Sequence, residues 1–155
     1  MEKAQEDNEY PQDVASLLLP MHNIPLLLPN VGVAEIVTGN ITPHLRTPAW
    51  HLGVLDWRSV KIPIISIEGL NNQRVEGAMT RVTMAVINSY RGDKALPFYG
   101  FRINGIPRLV RVVQADLEVD PGQTLAAEQV RVLVGGVKAA IPDLDFIERK
   151  ILNKG

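Results

Sequence analysis

The chain has 155 residues, no cysteine and a formal net charge of −1. That excludes disulfides, thiolate metal centres, iron–sulfur clusters and cysteine nucleophiles, and it gives the chain as a whole no pull on polyanions. Hydrophobic residues at 46% and charged residues at 21% fit a folded protein with a core of its own, while aromatics at 5% are too sparse for platforms that stack bases or sugars. Val (17) and Ile (13) are plentiful and tilt the chain toward strands.

The first 15 residues carry five acids (Glu2, Glu6, Asp7, Glu9, Asp13) against the single base Lys3. Such a segment has little apolar surface to bury, so a disordered acidic tail is expected over 1–15. It has neither the cationic start nor the apolar run of a secretory signal. No stretch reaches the roughly 18 apolar residues of a membrane span. A cytoplasmic protein without direct membrane insertion is the expectation.

Short β-like segments then follow one another. The Leu-Leu-Leu-Pro runs at 17–20 and 26–29, around Met21-His22-Asn23, predict a hairpin covered on both faces. Val33–Val37 alternates around Glu35 and ends at Gly39-Asn40. Ile41–His51 holds Pro43 and Pro48 and should be irregular. Leu52–Leu55 and Val60–Ile67 are β-rich, with Pro63 pointing to an edge or bulge position. Asn71–Ala78 is loop-like. In the strand Arg81–Ser89, Thr83, Ala85 and Ile87 face away from Val82, Met84 and Val86.

Ala95–Ile103 predicts a further strand, and Asn104-Gly105 a hairpin into Leu109–Gln114. Gln129–Val134 and Val137–Ile141 flank a Gly135-Gly136 turn. Pro142, Asp143 and Asp145 suit a helix start, and Leu144, Ile147, Ile151 and Leu152 share one helical face. Nine or ten short strands and one C-terminal helix describe an all-β sandwich or barrel.

Catalytic chemistry finds little footing. His22, His44 and His51 have no metal-ligand spacing, and no nucleophile elbow or phosphate loop occurs. No catalytic, cofactor or metal site is expected. Glu35 interrupts an apolar strand, where an outward-facing position and a functional acid both fit. Arg102, Arg108, Arg111 and Arg131 could form a stripe, which makes a small nucleic-acid-binding barrel the alternative reading. Only Phe98, Tyr99 and Phe101 lie near that stripe, however, and stacking modules interleave more aromatics with charge.

One region is recognisable. The run from Gly53 through Trp57, Arg58 and Pro63 to Ile67 resembles the Gly-Val-x-x-x-Arg-Gly-x-x-x-Pro segment of CheW-type chemosensory adaptors. Val33-Ala34-Glu35-Ile36 resembles their Val-x-Glu-Ile strand, and Thr42-Pro43 with Thr47-Pro48-Ala49-Trp50 resembles their proline-containing approach to the glycine. Tyr99–Ile103 and Ala139–Leu152 are similar to later strands and the closing helix.

The resemblance implies two intertwined five-stranded SH3-like β-barrels with a short C-terminal helix, both within residues 16–153. It implies a non-enzymatic adaptor without cofactor. The partners would be the regulatory domain of a CheA-type histidine kinase and the cytoplasmic tip of a methyl-accepting chemoreceptor, with no nucleic acid. Family receptor contacts carry over to Val33, Glu35 and Arg58. Trp57, bulky where the family has an Asn-Leu type pair, joins them as a candidate receptor- or kinase-binding residue. Ser59 replaces the family glycine, so a changed turn geometry is expected there. These departures resemble the ChpC-like accessory branch of type IV pilus, twitching-motility systems.

Overall fold

A computed structural model describes residues 13–44, 46–75 and 80–153. Eleven strands form two sheets. The strands are β1 (Asp13–Leu19), β2 (Leu26–Pro29), β3 (Val33–Asn40), β4 (His51–Trp57), β5 (Val60–Ile65), β6 (Arg81–Asn88), β7 (Phe98–Ile103), β8 (Arg108–Val113), β9 (Leu117–Val119), β10 (Glu128–Val134) and β11 (Val137–Pro142). One sheet has five strands in the order β3-β6-β7-β5-β4, and the other has six in the order β8-β1-β2-β11-β10-β9. The chain therefore starts in the second sheet, builds the first one in a single continuous stretch, and returns. This interleaving matches the expected two intertwined barrels, with one strand more than expected in the split one.

Each sheet curls on itself. In the five-stranded one, Thr42 just beyond β3 exchanges two backbone hydrogen bonds with Val54 of β4, at 2.8 and 2.9 Å, and so closes the ring. Gly53 permits that closure: a Cβ there would lie 2.3 Å from the Thr42 carbonyl oxygen. In the six-stranded one, the two edge strands β8 and β9 are joined by a single 3-10 turn at Gln114–Asp116. Opposite edges can be so joined only if the sheet wraps round.

Three buried clusters hold the molecule. Ile41, Leu55, Trp57, Ile62, Ile64, Val82, Met84 and Val86 fill the five-stranded barrel. Leu18, Leu27, Val112, Val132 and Ala139 fill the six-stranded one. The third lies between the barrels, where Ala85, Ile87, Tyr99 and Phe101 meet Leu19, Leu26 and Leu28. Strand β6 thus buries both faces, one in its own barrel and one in the seam, as its two apolar rows predicted. The C-terminal helix (Leu144–Asn153) caps the seam with Ile147 and Ile151. Asp143 accepts the Phe146 N–H at 3.0 Å and is the helix cap, so Pro142 ends β11 instead of opening the helix.

Several expectations need correction. Asp13–Ala15, assigned to the acidic tail, pair with β8, while residues 1–12 lie outside the described ones. Asn104-Gly105 is no hairpin. It is the crossing between the sheets, with the Asn104 N–H donated to Pro20 O at 2.8 Å, and β8 pairs with β1. Pro63 sits on a central strand. It is tolerated because the parallel pairing of β5 with β7 covers only Ile64 and Ile65. Ser66 caps an unforeseen one-turn helix at Ile67–Leu70 by accepting the Gly69 N–H at 3.0 Å.

Candidate functional site

The β4–β5 hairpin closes with Trp57 opposite Val60 and only Arg58 and Ser59 between them. Both turn residues are left-handed, with φ of 50° and 66°, the type I′ geometry that matches strand twist. Ser59 therefore keeps the turn a glycine would make, at a strain of roughly 1–2 kcal/mol. This corrects the expectation of a changed geometry. The turn lifts Arg58 off the barrel end.

Glu35 lies on β3 just after a bulge, because Val33 pairs with Ile87 and Glu35 with Val86. Along this strand Val33, Glu35 and Val37 share the more buried side, while Ala34, Ile36 and Thr38 are exposed. Glu35 thus sits on the less exposed side of β3 with its side chain still half exposed. One of its oxygens, Oε1, accepts the Trp57 indole N–H at 2.9 Å and Arg58 Nη2 at 3.2 Å. Arg58 Cζ stands 4.8 Å from the Trp57 ring centroid, a cation–π contact. The indole body is buried and meets Phe98 edge-on at 4.9 Å.

Strand pairing thus gathers Glu35, Trp57 and Arg58 into one contacting cluster. Val33, two residues before Glu35 on the same strand, packs against the seam, whereas Trp57 belongs to the core of the five-stranded barrel. The side chains of Glu35 and Arg58 are 40% and 68% exposed, so their ion pair contributes at most about 1 kcal/mol and opens readily to an incoming group. A groove of about 610 Å³ runs along β4 and β5, lined by the polar Thr42, Asp56 and Lys61 as well as by Val54, Pro63 and Leu96. The arrangement suits recognition: a buried aromatic anchor and adjustable charges, with a groove of mixed polarity on the same hairpin.

Other candidates disperse. Arg102 is on β7 of the five-stranded sheet. Arg108 and Arg111 are on β8 and Arg131 is on β10, both in the six-stranded sheet. Arg111 pairs with Asp13 at 3.3 Å, and Arg131 grips Glu128 through two bonds of 2.8 and 3.1 Å. The four arginines are thus divided between the sheets, and two of them are held by acids. No group of three or more metal-ligating side chains occurs among the described residues, and no helix there is long and apolar enough to cross a membrane.

Sequence reasoning missed two participants. Phe98 was grouped with Tyr99 and Phe101, but alternation along β7 sends it to Trp57 and the other two into the seam. Glu148 of the C-terminal helix is fully buried. It accepts Ser89 Oγ at 3.2 Å, Tyr90 N at 2.7 Å, Arg91 N at 2.9 Å and the Tyr99 hydroxyl at 2.6 Å. Burial first, and then Glu148, push the Tyr99 phenol far above the ordinary tyrosine range.

A family model described as "CheW-like domain" matches residues 17–142. A search among curated proteins gives no match. Among solved structures, the scaffolding protein TtCheW from Thermoanaerobacter tengcongensis superposes with a TM-score of 0.69 at 16% identity. The match covers 84% of this chain and 89% of that one.

Proposed function

We propose that this chain, which belongs to the CheW-like domain family, is a non-enzymatic adaptor coupling the cytoplasmic tip of a chemoreceptor to the regulatory domain of a CheA-type histidine kinase. The observation that carries this reading is the cluster of Glu35, Trp57 and Arg58, shared by a hairpin tip and a bulged strand. These three include two of the positions that the family uses for receptor contact, and Val33, the third such position, lies on the same strand two residues before Glu35. A half-exposed acid and an exposed arginine orient a partner, and the groove of mixed polarity on the same hairpin offers area to bury. The likeness in fold to a scaffolding protein supports the same reading.

Calorimetry with a purified kinase regulatory domain and a receptor tip fragment tests it. Binding of both, with Arg58→Ala weakening the receptor at least about tenfold, a loss of ~1.4 kcal/mol, is the expected result. Absence of binding to either at ~100 µM overturns the proposal.

A further inference from the structure

The same barrel end carries an exposed aromatic residue on an unusually well-held loop. Residues 89–92 open the connection, 89–97, from β6 to β7. Glu148 takes the N–H groups of two successive residues, Tyr90 and Arg91, together with the hydroxyl of Ser89. The same Ser89 oxygen accepts the Gly92 N–H at 3.2 Å. Arg91 Nε also approaches Asp145 of the helix at 3.7 Å. Loop backbones are usually left to water. Here a sealed carboxylate fixes one, yet the Tyr90 side chain that it carries is 70% exposed.

Strand register places that ring. Ile87 pairs with Val33, and Asn88 pairs with Phe98. Asn88 Nδ2 also donates to Val31 O at 3.1 Å, and Val31 is 86% exposed. Tyr90 and Val31 therefore stand at the end of the barrel that holds Glu35, Trp57 and Arg58. They are two apolar projections beside a charged pair.

From this geometry we infer that Tyr90 is a receptor-contact residue, presented by Glu148, that packs with Val31 on aliphatic side chains of a helical tip while Arg58 meets an acidic group on it. The inference rests on the adaptor reading above and extends its contact surface across the barrel end. Tyrosine is a preferred interface anchor, and a backbone already fixed leaves little ordering to be done on binding. Arg58 has five N–H donors, and the bond that Nη2 makes to Glu35 leaves others open to solvent or to a partner, the side chain being 68% exposed.

The test is calorimetry of the full chain against a receptor tip fragment and, separately, a kinase regulatory domain. Tyr90→Ala should weaken receptor binding at least tenfold and leave kinase binding and the melting temperature unchanged. Tyr90→Phe should restore affinity, since the ring makes the contact. Glu148→Gln should weaken receptor binding and speed amide exchange at Tyr90 and Arg91. If that variant unfolds, the Tyr90 pair still decides the matter. Wild-type receptor affinity in Tyr90→Ala, alongside weakened binding in Arg58→Ala, overturns this inference alone. A loss confined to the kinase overturns the choice of partner. Failure of the unaltered chain to bind either protein overturns the adaptor reading, and this inference with it.

Discussion

Glu148 and Glu35 both collect donors from distant elements, but one is sealed in the seam and the other is half open at a barrel end. Glu148 receives four donors from two strands' worth of chain, and its geometry has no slack. Glu35 offers a single oxygen to two donors and leaves the other to solvent or a partner. The contrast separates two uses of a carboxylate. In the seam, it joins the C-terminal helix to the other barrel and holds a loop. At the hairpin, it keeps an indole and a guanidinium in place until something better arrives.

The largest effect should follow from breaking the sealed site. Glu148→Ala leaves the buried Tyr99 hydroxyl and three half-buried donors of the following loop, Ser89 Oγ and the Tyr90 and Arg91 N–H groups, without their acceptor, and should cost about 3 kcal/mol. Urea denaturation measures it. An unchanged midpoint would mean that water satisfies those donors and that the two acids are alike after all. Tyr99→Phe removes one donor only and should cost about 1–2 kcal/mol.

Tyr99 also gives the seam a pH signature. Its folded-state pKa is raised, so the unfolded chain ionises first, near pH ~10. The stability due to this phenol is complete below that pH and falls as pH rises above it, by up to ~1.4 kcal/mol per pH unit. Denaturation midpoints of the parent should fall more steeply above that point than those of Tyr99→Phe. Parallel curves would remove Tyr99 from the seam's account.

The difference between the two sites also explains what could be read in advance. The hairpin end was legible because its residues lie in two short runs, 33–36 and 53–67, whose order resembles a known family. Even there Trp57 read as a bulky departure, whereas it is the link between Glu35 and Phe98. The seam was less legible because it depends on pairings between remote strands. Asn104-Gly105 has the composition of a hairpin turn, and nothing local reveals that β8 prefers β1. Glu148 stands in no recognisable motif. Its spacing, four residues after Leu144 and three before Ile151, puts it on the apolar face, and that was the available signal. Local patterning did suffice for the β1–β2 hairpin, the two rows of β6 and the Gly135-Gly136 turn, whose φ values are 56° and 83°.

A smaller effect tests the hairpin as scaffold. Ser59 is held at a φ of 66°, which glycine adopts without a Cβ penalty. Ser59→Gly should therefore raise stability by about 0.5–1 kcal/mol in thermal or urea melts, the strain relief being reduced by glycine's greater unfolded freedom. The receptor affinity should stay within twofold, because the Arg58 position is unaltered. A destabilised variant would show that the serine side chain supports the turn in a way that the backbone angles do not reveal.

The smallest stability change should come from the open pair itself, and this outcome decides whether the contrast holds. Glu35→Gln retains an oxygen for the indole N–H and removes the charge facing Arg58. With both side chains substantially exposed, the folded state should lose less than about 1 kcal/mol. Arg111→Ala, which breaks the comparably exposed pair with Asp13 on the other barrel, should lose no more than that and serves as the control for a simple surface ion pair. Receptor affinity should separate the two. The Glu35 variant loses the group that orients Arg58 and should bind about tenfold more weakly, whereas the Arg111 variant binds normally. If both behave alike, Glu35 and Arg58 are an ordinary surface pair, and only Trp57 with its neighbours would remain to distinguish this end of the barrel.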